Sequence, residues 1–184
     1  VVGQNLPTKG VTFRNPILPG FYPDPSICRV NDDYYLVTST FEYFPGIPIF
    51  HSKDLVHWNQ LGHVLDRPSQ LELDSIRPSG GVYAPTIRHH NGTFYVINTL
   101  VGKKGNFVVT ATNPAGPWSD PYWIENAPGI DPSLFFDDDG KAYYTGNIKP
   151  DSIPKESKYR SIWLQELDPK SMKLVRERSI ILNE

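Results

Sequence analysis

The sequence predicts an all-β fold assembled from repeated blades, and three observations carry that reading. A short motif, Pro23-Asp24-Pro25-Ser26-Ile27, returns with its acid replaced as Tyr83-Ala84-Pro85-Thr86-Ile87 and again as Ile130-Asp131-Pro132-Ser133-Leu134. Each copy is followed by a turn and an aromatic pair, Tyr34-Tyr35, Phe94-Tyr95 and Tyr143-Tyr144, at offsets of 10, 10 and 12 residues from the anchor. Finally, 18 Pro and 14 Gly cut the 184 residues into short segments rich in strand formers, with no long helical period. Repeats of 47 to 60 residues built in this way fit the blade of a β-propeller, where one four-stranded sheet packs face to face on the next.

In such a ring the innermost strand of every blade begins near the central axis. Asp24, Ala84 and Asp131 are therefore expected to point at one shared cavity, where two carboxylates meet. A single Asp-Pro is ordinarily a turn at a strand start. Here the acid recurs among apolar neighbours (Phe21, Tyr22 and Ile27; Ile130, Leu134 and Phe135), which argues against a solvent-facing turn acid. A carboxylate taken out of water has to be offset by partners or by function.

Composition narrows the partners. With 18 basic and 20 acidic side chains, the formal net charge of −2 gives no footprint for nucleic acid or an anionic membrane, and no apolar run is long enough to span a bilayer. The expected partner is neutral. The lone Cys28 lies in an apolar strand, Ile27-Cys28-Arg29-Val30, and reads as a buried, inert thiol with no disulfide framework around it. His51, His57 and Trp58 lack the alternate spacing that a metal site on one strand face needs, so they are read as structural and no metal ligands are assigned. The start, Val1-Val2-Gly3-Gln4, carries neither an initiator Met nor a signal peptide and reads as processed or trimmed, which favours a secreted or periplasmic location over a cytoplasmic one.

Taken in order, residues 1–12 form an extended lead-in and residues 13–184 an incomplete propeller. The first blade runs through Tyr34–Ser39 and, after Pro45-Gly46, through Ile47–His51. Between these strands lies Thr40-Phe41-Glu42-Tyr43-Phe44, which is either a platform for a sugar ring or core filler. Its place on a loop after the second strand of the Asp24 blade lets it overhang the cavity. Asp66–Gly81 is a long interblade connection, with one helical turn expected at Ser69–Leu73. In the second blade Asn91-Gly92 signals a hairpin, which also accounts for the Asn-Gly-Thr glycosylation pattern. In the third, Asp137-Asp138-Asp139-Gly140 lacks the later Glu and the alternate spacing of a calcium loop and reads as a solvated turn. Strand character resumes at Ser161–Leu167 and Lys173–Val175, and the chain stops inside a fourth unit at most, so it reads as part of a ring.

From Asn15-Pro16-Ile17-Leu18 and Pro23-Asp24-Pro25-Ser26-Ile27, through Thr38–Gly46 and His51–Trp58, to Gly80-Gly81-Val82-Tyr83-Ala84-Pro85 and Ile130–Phe135, the sequence resembles glycoside hydrolase family 43, most closely its β-xylosidase branch. The resemblance implies a five-bladed propeller, of which this chain supplies about the first three blades. It also implies an inverting glycosidase acting on xylan- or arabinan-derived oligosaccharides. Carried over by motif, Asp24 matches the general base and Asp131 the aspartate that orients the general acid and raises its pKa. The acid itself is expected in a Glu-Gly-Pro motif that does not occur here, and Glu184 lacks that context. The resemblance further places the remaining blades and any C-terminal β-sandwich outside this sequence. Phe41 and Tyr83, with Phe44 beside them, would wall in the sugar. Tyr83 stands where close relatives often have tryptophan, and Thr86 where aspartate is frequent; both bear on substrate choice. No cofactor is implied, although some members hold a structural cation on the axis. The competing reading is a carbohydrate-binding propeller without catalysis.

Overall fold

The computed structural model describes residues 12–149, 154 and 158–183, and among them every regular element is a strand. The first sheet is an antiparallel meander of β1 (Ser26–Val30), β2 (Asp33–Val37), β3 (Gly46–Ser52) and β4 (Asn59–Leu65). The second comprises β5 (Gly81–Val82), β6 (Thr86–His90), β7 (Thr93–Val101), β8 (Gly105–Ala111) and β9 (Tyr122–Trp123). Because β5 and β6 both pair with β7, they are two halves of one first strand, interrupted at Tyr83-Ala84-Pro85. The third sheet is again a meander, of β10 (Ile130–Phe136), β11 (Ala142–Ile148), β12 (Ser161–Asp168) and β13 (Lys173–Asn183). Asn91 (φ 48°) and Gly92 (φ 75°) both adopt the left-handed conformation that a two-residue hairpin turn needs, and they join β6 to β7.

The second sheet is the centre of the packing, because alternate side chains of its strands leave on opposite faces. Phe94, Val96 and Leu100 of β7, with Phe107, Val109 and Ala111 of β8, meet Val37, Ile47, Ile49, Val64 and Leu65 of the first sheet. Ile97 and Val108, one residue out of phase, instead join Leu134, Tyr144, Trp163 and Leu167 of the third. Burying a side chain such as Phe107 completely is worth roughly 1.5–3 kcal/mol, so these two cores account for the order of the three sheets.

One expectation needs correction. Ser69–Leu73 holds no helix: Gln70 closes a turn onto the Arg67 carbonyl (3.0 Å), and its buried side chain donates to the Ser119 carbonyl at 2.9 Å. Arg67 adds ion pairing to Asp120 at 3.1 Å, so this connection is strapped to the outer edge of the second sheet by side chains, which a local helix signal does not register. Among the described residues β13 continues to Asn183 as the last strand of the third sheet, in keeping with a chain that stops inside a fourth unit at most. The lead-in, apart from Thr12, lies outside the described residues.

Candidate active site

The repeated anchor is a β-bulge. In the first sheet Ser26 pairs with Val37, while the Ser39 N–H reaches the Pro23 carbonyl at 3.1 Å. In the second, Thr86 pairs with Ile97 and the Tyr83 N–H is bonded to Thr99, again at 3.1 Å. In the third, Ser133 pairs with Thr145 and Ile130 with Asn147. Each time three steps along the first strand match two along its partner. One extra residue is thereby inserted at the motif, bending the strand and re-aiming a side chain. At Asp24 (φ 53°) and Asp131 (φ 55°) the bulge takes the left-handed conformation that aspartate tolerates better than most residues.

Each acid is held by the residue across the bulge. Ser39 Oγ donates a hydrogen bond to Asp24 Oδ2, and Asn147 Nδ2 donates to Asp131 Oδ2 at 2.8 Å. In the second sheet Ala84 stands where the others have the acid, and Thr99 Oγ1 turns instead to Asn106 Oδ1. The first strands lie side by side with equivalent positions adjacent. Ser26 Oγ accepts from the Ile87 N–H at 3.2 Å, while Arg88 donates to Ser133 Oγ and to the Leu134 carbonyl. β1, β6 and β10 therefore run in the same sense and present their bulges at one end, with Asp24 and Asp131 flanking Ala84.

Within this chain, which reads as part of a ring, Asp24 and Asp131 are exposed, as are Phe21, Ile27 and Phe135 around them.

Beside the bulges stands a group of aromatic rings. Phe41 packs edge-on to Tyr83 (centroids 5.6 Å apart, planes at 71°) and lies 6.0 Å from Phe21, which in turn meets Tyr43 edge-on at 6.2 Å. The backbone fixes this wall: Phe41 and Val82 exchange a pair of hydrogen bonds, both 2.9 Å, tying the loop after β2 to β5. Gly81 (φ 86°) permits that approach, since a Cβ there would sit 2.4 Å from the Phe41 carbonyl oxygen. Tyr83 is further held by its hydroxyl on the Ser79 carbonyl (3.1 Å) and by Asn98 Nδ2 on its own carbonyl. Phe44 is exposed and makes none of these ring contacts.

Phe41 and Tyr83 are thus brought together and Phe44 is not, while Phe21, Ser39 and Asn147 were missed as site residues. Ser39, Thr99 and Asn147 could have been found, because they follow Asp24, Ala84 and Asp131 by 15, 15 and 16 residues. The histidines read as structural do carry polar contacts: His51 meets Asp33 at 2.5 Å, and His57 meets Asp54 at 2.7 Å. Lys53 joins Asp33 at 2.7 Å, and the hydrogen bonds from Lys53 and His51 hold the Asp33 carboxyl below its usual range. Among the described residues no three His, Cys, Asp or Glu side chains stand close enough together to hold a metal ion.

The chain is 60% identical over 168 residues to a xylosidase/arabinosidase of Butyrivibrio fibrisolvens, covering 90% of this chain and 32% of that protein. It is 61% identical over 145 residues to a non-reducing end alpha-L-arabinofuranosidase of Bacteroides ovatus, covering 77% of this chain and 26% of that one. The crystal structure of a xylan beta-1,4-xylosidase from Bacillus halodurans superposes with a TM-score of 0.86 at 46% identity, over 94% of this chain and 34% of that chain. The chain spans about a third of the length of such relatives. Residues 13–184 match the glycosyl hydrolases family 43, and the chain belongs to that family.

Proposed function

We propose that the full-length protein is an inverting glycoside hydrolase of xylan- or arabinoxylan-derived oligosaccharides, a β-xylosidase, an α-L-arabinofuranosidase or both. The observation that carries this reading is the pair of aspartates, Asp24 and Asp131, each presented on a bulge and oriented by a hydrogen bond, at the same end of the two strands that flank β6 and beside an aromatic wall. The names of the relatives support the substrate class.

In this reading Asp24 is the general base, accepting a proton from the water that attacks the anomeric carbon. Ser39 keeps one carboxylate oxygen fixed while the other faces that water. Inversion needs room for the water, with base and acid carboxyls roughly 6.5–9.5 Å apart. The acid is a glutamate supplied by sequence outside residues 1–184, on a propeller of five blades. The charge of Asp131 favours the acid's protonated form, which is the form that must protonate the leaving oxygen. Phe41 and Tyr83 orient the neutral sugar, a term that can account for much of the barrier reduction. Hydrolysis by this route requires two carboxyls and a water, with no cofactor as a reactant.

The deciding experiment follows the first product by proton NMR when the full-length protein acts on aryl xyloside and aryl arabinofuranoside. The inverted anomer is expected from at least one of them. A retained anomer would overturn the role of Asp24, and binding without cleavage would favour a carbohydrate-binding propeller.

A further inference from the structure

We propose that Glu42 is a positioning residue for the aromatic wall, acting through Ser79 on Tyr83; this rests on the reading that the wall faces the sugar. Glu42 follows Phe41 on the loop after β2, and its Oε2 accepts the Ser79 N–H at 3.0 Å. The carbonyl of the same Ser79 accepts the Tyr83 hydroxyl at 3.1 Å. Ser79 is therefore clamped on both sides of one residue, and it sits at φ 60°, a conformation that a non-glycine residue keeps only when its surroundings hold it.

These contacts close a circuit. Phe41 pairs through its backbone with Val82, its ring meets Tyr83, Tyr83 bonds Ser79, Ser79 bonds Glu42, and Glu42 is covalently joined to Phe41. Three of these links, Phe41 to Val82, Phe41 to Tyr83 and Glu42 to Ser79, join the loop after β2 to the entry of the second sheet. Removal of the Glu42 link leaves the Tyr83 hydroxyl bonded to a segment that is free to leave its left-handed conformation. The ring that walls the sugar then loses its fixed angle, although Glu42 itself need not touch substrate. A carboxylate suits this position because it is purely an acceptor and binds backbone N–H groups more strongly than a neutral oxygen does.

The test uses the full-length protein and the variants Glu42→Ala, Glu42→Gln and Tyr83→Phe. Binding of xylobiose and arabinobiose is measured by calorimetry, which reads the wall whether or not cleavage occurs, alongside kcat and KM on nitrophenyl glycosides. Loss of one hydrogen bond corresponds to about fivefold in affinity. Glu42→Ala and Tyr83→Phe should each weaken binding and raise KM by about that factor. Glu42→Gln, whose amide oxygen accepts the same N–H, should restore both, and the double variant Glu42→Ala/Tyr83→Phe should be no worse than either single change. Unaltered binding in a folded Glu42→Ala, additive losses in the double variant, or no rescue by Gln would each overturn the proposal. A wild type that binds either sugar without cleaving it removes the hydrolase reading and leaves this one standing; one that binds neither removes both.

Discussion

Arg88, at the middle of β6, donates from Nη2 to Ser133 Oγ at 3.0 Å, two residues beyond Asp131 on the neighbouring β10. Its Nε also reaches the Leu134 carbonyl at 2.9 Å, and its own position is the repeat equivalent of Cys28 in the first sheet. The guanidinium is half-buried, and that burial draws its pKa below the usual arginine range. A single side chain thus ties the bulge of Asp131 to the central sheet. Arg88→Met keeps most of the packing volume and removes these bonds. It should lower the unfolding free energy of the full-length protein by about 1.5–3 kcal/mol, the range for hydrogen bonds to a charged group. Chemical denaturation checks this, and an unchanged midpoint would show that the bonds are solvent-replaced.

Asp24 offers a cleaner substitution than alanine. Because Asp24 is left-handed, an alanine there would add backbone strain of about 1 kcal/mol to the chemical loss, whereas asparagine tolerates the same φ. Asp24→Asn in the full-length protein should therefore keep the melting temperature and lower kcat by roughly 10²–10⁴-fold, the usual contribution of a general base. Asp24→Ala should lose the same activity and some stability as well. Steady-state kinetics with thermal unfolding separates the two, and near-normal turnover in Asp24→Asn would remove it from the chemistry.

Asp131→Asn removes one negative charge and preserves the left-handed bulge. The acid then gives up its proton more readily, so the alkaline limb of the pH–rate profile should move to lower pH while activity falls. A profile of unchanged shape would reduce Asp131 to a part of the strand bend.

Burial pushes the Cys28 thiol up from 9.0 to about 11. Since the folded pKa is the raised one, the stabilisation of the neutral thiol is fully present below about pH 9, and it is lost as pH rises towards about 11. The thiolate is the reactive form, so the native protein should alkylate slowly at Cys28 at pH 8 and faster once denaturant is added. Mass spectrometry of the Cys28 peptide measures both rates, and equal rates would mean that the thiol is not shielded.

Much of the fold was legible because its signals are local and repeated. The Asn91-Gly92 turn, the aromatic pairs and the three anchors each mark an element where the structure has one. The site was legible only in part. Asp24 and Asp131 were found through their recurrence, whereas the bulge that carries each of them shows only in the strand pairing. Ser39 and Asn147 act from across the bulge and show in the sequence only as a recurring spacing from the anchors, while Arg88 acts from the next sheet at a separation of 45 residues that no local pattern registers. Gln70 was missed for the same reason, since its partner Ser119 lies 49 residues away.

The extra residue at each anchor is present whether or not it carries an acid. Ala84 stands in the same insertion as Asp24 and Asp131, opposite Thr99 as they stand opposite Ser39 and Asn147, but it does not share their left-handed φ. The mounting is therefore common to all three sheets, and the chemistry depends on what is mounted. A chain built on such bulges can gain or lose a carboxylate by one substitution, with no strand re-registered and no core residue exchanged.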